Sequence, residues 1–322
     1  MYYIIKIENW QKNLNLLYPA KIYAIMSLGG MEVRISRDKT IFIMDKNNEP
    51  VLRAKSGDEV IFETCDCFSD VIKTNEDLVS GIDFNRVNPA TGPLYIEGAE
   101  VGDVLKVKIK EIKVNSQGAT VTAPGLGRLS DKITGEETAI CPIEGDYAIY
   151  KGLKIPLNKM IGVIGTAPAG EGVPTGVPHD HGGNMDCKMI KEGASLYLPV
   201  NVEGALLAIG DLHAAMGDGE IMGAGLEIAG EVTVEVEVLK DFNYKLPLIE
   251  TEDKWMTLAS RETMEEASDL AINNMVDLIV KKTDLNLHQA GMLLSLVGDL
   301  RVCQIVDPNM TMRMELKKEY LK

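Results

Sequence analysis

The chain has 322 residues, 45% of them apolar, enough to bury a sizeable core and, at about 150 residues per domain, to form roughly two domains. Asp and Glu number 48 against 33 Lys and Arg, and the resulting charge of −15 argues against nucleic acid or an anionic membrane surface as partner. A neutral or cationic small molecule, or a metal ion, suits it better. Aromatics make up only 5%, while there are 30 Gly and 16 Met, so the core is expected to be aliphatic and rich in methionine, with many tight turns.

Residues 1–30 carry Leu16, Leu17, Ile22, Ile25 and Met26, but Pro19 and Lys21 interrupt the stretch and no Ala-x-Ala follows. The segment does not read as a signal peptide, and it is expected to be a leader or an over-long start outside the core. No run approaches the roughly 18 apolar residues of a membrane span. The five cysteines, Cys65, Cys67, Cys141, Cys187 and Cys303, are odd in number and irregularly spaced, which favours the reducing cytoplasm over a disulfide framework.

From residue 31 to about 250 short apolar runs alternate with turn-forming Gly, Pro, Asn and Asp, the pattern of a mainly β region of sandwich or barrel type. Strands are expected through Val60, Phe62 and Thr64, through Leu105, Val107 and Ile109, and through Val232, Val234, Val236 and Val238. After Lys110 the inward parity changes from Ile109 to Ile112, which predicts a β-bulge. Residues 251–322 read as a small α+β unit. Thr263 and Glu266 form a capping box before helical spacing at Met264, Ala267, Ala271, Met275 and Leu278, and Asn286 caps a second helix over 287–297. Strands through Val302, Gln304 and Val306 and over 310–316 close the chain.

Three of the four histidines, His179, His181 and His213, lie within 35 residues. The first two sit in a Gly- and Pro-rich loop that runs on through Asn184 to Asp186; the third follows an apolar run and shares a strand face with Asp211. Asp218 and Glu220 repeat that spacing after a glycine turn. Imidazole and carboxylate together suit one divalent ion: zinc, or calcium where carboxylates dominate. Asp66, between Cys65 and Cys67, is a further carboxylate for such a site. The Cys-x-Cys pair has no second pair to complete a thiolate zinc site.

At these motifs the chain resembles the acetamidase/formamidase family. The matching stretches are residues 88–103 (Asn-Pro-Ala-Thr-Gly-Pro-Leu-Tyr-Ile-Glu-Gly-Ala-Glu-Val-Gly-Asp), 181–186 (His-Gly-Gly-Asn-Met-Asp), 198–206 (Leu-Pro-Val-Asn-Val-Glu-Gly-Ala-Leu), 210–220 (Gly-Asp-Leu-His-Ala-Ala-Met-Gly-Asp-Gly-Glu) and 294–304 (Leu-Ser-Leu-Val-Gly-Asp-Leu-Arg-Val-Cys-Gln). The resemblance implies a mainly β fold, a hydrolase of small uncharged linear amides, and a homodimer or higher homo-oligomer. It marks Asn184, Asp186, Asp211, His213, Asp218 and Glu220, with Asp66, as site positions; Met216 stands where the family often has Gln.

These readings combine into one expectation. His181, Asp186 and His213, with Asp211 or Asp66, hold the ion, Glu220 serves proton transfer, Asn184 donates to the oxyanion, and Asp218 is a further catalytic residue. The alternatives are a metal-stabilised β scaffold that binds a ligand or partner without catalysis, hydrolysis of another C–N bond, and a thiol amidase using Cys187.

Overall fold

The computed structural model describes residues 33–321, so the expectation for residues 1–30 lies outside the described residues. Two sheets dominate. The larger has nine strands in the order Val33–Ile35, Glu59–Thr64, Gly230–Leu239, Val104–Val114, Ser195–Pro199, Leu248–Glu250, Lys254–Arg261, Met310–Lys317, Asp299–Gln304. The second runs Gly182–Asn184, Met160–Gly165, Leu207–His213, Ala90–Glu97, Thr40–Ile41, with Leu52–Lys55 pairing Ala90–Glu97. A four-stranded antiparallel sheet covers residues 117–156, and among the described residues no helix is long and apolar enough to cross a membrane.

The alternation in Gly230–Leu239 explains how one sheet serves both core and surface. Val232, Val234 and Val236 are fully buried, whereas Glu235 and Glu237 face outward and pair with Lys110 and Lys106 on the neighbouring strand at 3.2 and 2.9 Å. The expected bulge is present. Thr233 lies opposite Glu111 but Val234 opposite Ile109, so Lys110 is the extra residue, and Ile109 and Ile112 are both fully buried.

Apolar faces of the two large sheets meet in one core that holds Phe62, Ile109 and Val232 from one side and Ile161, Leu207 and Ile209 from the other. A second cluster forms where helix α1 (Met264–Lys282) and helix α2 (Leu287–Val297) lie on the far end of the nine-stranded sheet, with Met275, Leu278 and Ile279 against Trp255 and Met314. Thr263 accepts from the Glu266 N–H, and Asn286 with Gln289 makes a reciprocal capping box, as their spacing predicts. The boundary read near residue 250 falls inside a sheet. Leu248–Glu250 pairs directly with Lys254–Arg261, so the α+β segment extends the β region through shared hydrogen bonds.

Candidate active site

Strand Leu207–His213 is buried along its whole length and carries Asp211 and His213 to the centre of the molecule. Its neighbour Met160–Gly165 supplies no side chain at Gly162, and a Cβ there would fall on the carboxylate oxygens of Asp211 and Asp186. Bare backbone at residue 162 therefore lets two acids meet. Asp186 follows strand Gly182–Asn184, which pairs on the other side of Met160–Gly165.

The ligand atoms of Asp186, His213 and Glu220 lie within 4.8 Å of one another, as do those of Cys67, Asp211 and Glu227, and all six residues are buried. His213 links the two groups: its Nε2 is 3.1 Å from Glu227 Oε2, 3.4 Å from Asp211 Oδ1 and 3.7 Å from Asp186 Oδ1. Asp186, Asp211 and Glu220 all adopt left-handed backbone, at φ 40°, 54° and 46°. Non-glycine residues enter that region at an energetic cost, and such strain concentrates at functional sites.

Electrostatics follow from the burial. Desolvation holds the Asp186 and Glu220 carboxyls well above their ordinary values and raises Glu227 to about 7. Burial opposes charge on His213, but the carboxylates of Glu227 and Asp211 outweigh it and push the imidazole well upward. Both oxygens of Asp186, Asp211 Oδ1 and Glu227 Oε2 are buried without a hydrogen-bond partner. Orphaned acceptors of this kind are costly in a folded protein, and a carboxylate-rich set with one imidazole fits a divalent cation.

Two further residues complete the site from distant parts of the chain. Asp307 accepts from Asn184 Nδ2 at 3.0 Å, and burial together with the Asp211 charge raises it to about 8. Its backbone is fixed by Gln304 Oε1, which accepts from the N–H groups of Val306 and Asp307 at 2.9 and 3.0 Å. Asp66 stands at the edge: Oδ1 accepts from the N–H of Phe68 and of Asp70, while burial and the acids around it, Asp211 among them, raise it to about 6.

Three expectations meet different surroundings. His181 joins neither group of three; burial and His179 lower its pKa to about 4, and its Nε2 has no partner. Reciprocal backbone bonds between His179 and Gly182 fold the loop into a tight turn, so two-residue spacing no longer implies a shared side. Asp218 also leaves the set. Gly219 at φ 103° and Glu220 at φ 46° break the extended backbone, sending Asp218 to Arg313 and Lys188 while Glu220 turns inward. Asn184, expected to face an oxyanion, spends one N–H on Asp307. Glu227 and Asp307 are clustered residues that sequence reasoning does not name, and it names Cys67 only in a Cys-x-Cys pair that lacks a partner pair. Glu227 carries a weak signal, a lone acid between Leu226 and Ile228.

A cavity of ≈ 570 Å³ adjoins the cluster between the four-stranded sheet and residues 215–226. Its lining, which includes Cys141, Tyr150, Ile155, Met216 and Leu226, is largely apolar, and of the six clustered residues only Glu220 reaches it.

The acetamidase/formamidase family model matches residues 45–173 and 169–320. The chain belongs to that family. It is 54% identical to the acetamidase of Bacillus halodurans, whose crystal structure superimposes with a TM-score of 0.88 over 89% of this chain and 98% of that one. A predicted acetamidase/formamidase of Thermoanaerobacter tengcongensis is 46% identical, with a TM-score of 0.88 over 90% and 97% of the two chains. A formamidase of Methylophilus methylotrophus is 30% identical over 251 residues, 59% of this chain and 62% of that enzyme. The chain thus spans about three fifths of the length of the curated relatives it matches.

Proposed function

We propose that this family member hydrolyses short, uncharged linear amides such as formamide and acetamide to the carboxylate and ammonia, with a divalent cation at the buried cluster. The observation that carries the reading is the group Asp186, His213 and Glu220, rich in unpartnered acceptors and opening at Glu220 alone onto an apolar cavity. The names of the related acetamidases and formamidases support the substrate class.

Asp186, His213 and Asp211 would hold the cation, zinc or, with so many carboxylates, calcium; when bound it lowers the pKa of water toward neutrality and polarises a carbonyl. Glu220, at the boundary of cluster and cavity, takes a proton from the attacking water and delivers it to nitrogen as the C–N bond breaks and ammonia leaves. The second N–H of Asn184 would donate to the developing oxyanion. The apolar walls accept the alkyl end of the substrate and exclude bulk water, and a neutral amide meets no repulsion from a chain carrying −15. Five free thiols support a cytoplasmic setting, and the exposed Met292 and Leu296 of α2 support association into homo-oligomers.

Ammonia release is the test. Formamide and acetamide are expected to yield ammonia, and chelation is expected to abolish it. Metal-loaded protein that releases no ammonia from any short amide between pH 6 and about pH 9, the range in which a cation-bound water ionises, would leave the binding scaffold as the better reading. Ammonia release that is unaffected by chelation and stopped by alkylation would favour the thiol route through Cys187, which is fully buried.

A further inference from the structure

We infer that the protein acts on medium-chain primary amides, whose uncharged acyl chain has about six to ten carbons, and that the four-stranded sheet is the wall on which this chain lies. The inference rests on the amidase reading proposed above and names the substrate class of the same site.

The cavity touches the cluster at one end and the sheet along its length. Glu220 lines it, and so does Gly225, where a Cβ would fall 2.7 Å from His213 Nδ1, so the imidazole lies directly behind that backbone. An amide with its carbonyl at Glu220 has one course for its acyl chain, between residues 215–226 and the sheet. In the sheet, Thr120 is paired in register with Ala139, and the strand Leu153–Pro156 at the other edge contributes Ile155. All three are half-buried and line the cavity. A covered β-face is ordinarily filled by branched or aromatic side chains, and the methyl of Ala139 leaves that space free.

Size separates this cavity from acetamide. At about 30 Å³ for a water-sized group, ≈ 570 Å³ holds on the order of nineteen non-hydrogen atoms, and acetamide would fill only about a fifth of it. A primary amide with an acyl chain of about six to ten carbons fills roughly half, within the range of pockets that enclose ligands of intermediate size. Walls of Met216, Met222 and Leu226 opposite the sheet give such a chain aliphatic contact along its path.

Charge decides how the chain ends. The lining includes the acids Glu137, Asp218 and Glu220 and neither Lys nor Arg. Lys151, which follows the strand Tyr147–Tyr150, is already tied to Glu137 at 3.0 Å. A terminal carboxylate therefore finds no free counter-ion along these walls and adds repulsion, whereas a methyl end gives up only its contact with water.

A chain-length series on the full chain loaded with Zn(II) tests this. Burial of each methylene is worth up to about fourfold, so kcat/KM for hexanamide should exceed that for acetamide at least tenfold. The monoamide of adipic acid, which replaces the terminal methyl of hexanamide by a carboxylate, should fall at least tenfold below hexanamide. In Ala139→Phe the ratio of hexanamide to acetamide should drop at least tenfold; a ratio taken on one preparation does not depend on how much of the variant folds, and the wild-type series needs no variant. Acetamide turnover with hexanamide no faster would overturn the medium-chain reading and leave the amidase reading intact. Ammonia from none of the amides would overturn both. An adipic monoamide as fast as hexanamide would overturn the charge argument, and an undiminished ratio in Ala139→Phe would remove the sheet as the wall for the chain.

Discussion

Arg313 grips both oxygens of Asp218, Nη1 to Oδ1 and Nη2 to Oδ2, each at 2.9 Å. The same guanidinium donates to Val302 O at 2.6 Å and through Nε to Glu315 at 2.8 Å, so a buried arginine of the C-terminal strands clamps the turn that presents Glu220. Backbone reinforces the clamp, since the Gly219 N–H donates to Cys303 O at 2.8 Å. Asp218 is therefore expected to act by positioning Glu220. Asp218→Asn keeps the shape but removes charge-assisted bonds worth about 2 kcal/mol. The expected result is a lower melting midpoint and a lower kcat with little change in bound metal. Wild-type kcat in this variant would show that the clamp does not position Glu220.

Acid stability should depend on Glu315 and Glu250, which pair with basic side chains of the C-terminal strands and segment. Burial works to raise Glu315, but Lys254 at 2.7 Å and Arg313 outweigh it and hold the carboxyl below its ordinary 4.5; Lys318 and Tyr197 do the same for Glu250. A depressed folded pKa means that the stabilisation is present above about pH 4.5 and is lost as pH falls through the depressed values. Melting temperature should fall below that pH, and Glu315→Gln should be less stable at pH 7 with a shallower acid decline. An unchanged acid decline in the variant would remove Glu315 from the account.

Much of this architecture is legible in the chain because it depends on neighbours in sequence. The parity change at Lys110, the caps at Thr263 and Asn286 and the alternation of valines through Val238 are local signals, and the structure realises each. The site is legible only in part, for it is assembled across sheets. Glu227 reaches His213 through a single antiparallel bridge, and Asp307 reaches Asn184 across 123 residues of sequence. Face parity fails where the backbone turns left-handed, as at Gly219 and Glu220, and parity arguments about Asp218 fail with it.

Gly162 should be intolerant of alanine for a reason unrelated to glycine's flexibility. A methyl group there would occupy the space of the Asp186 and Asp211 carboxylates, in a strand whose burial leaves no room to retreat. Gly162→Ala is expected to weaken metal retention at least tenfold, comparable to loss of a supporting residue around a metal. Equilibrium dialysis against Zn(II) measures it. Unaltered retention would mean that the two acids do not share an ion.

Met216 lines the apolar cavity at the position where resemblance to the family leads one to expect Gln, and it is only 8% exposed. A thioether there adds apolar contact for a substrate's alkyl end, at about 0.8 kcal/mol per methylene buried, so each added carbon should lower KM by up to about fourfold until the cavity is filled. Propionamide is thus expected to bind better than acetamide, and acetamide better than formamide. In Met216→Gln the buried amide must find hydrogen-bond partners of its own, which favours the smaller, more polar substrate. The ratio of kcat/KM for propionamide to that for formamide should therefore fall in the variant, while Glu220 and the metal ligands keep their places. A ratio that rises or stays constant would show that the substrate does not contact this wall, and that the cavity beside Glu220 is not where the acyl group sits.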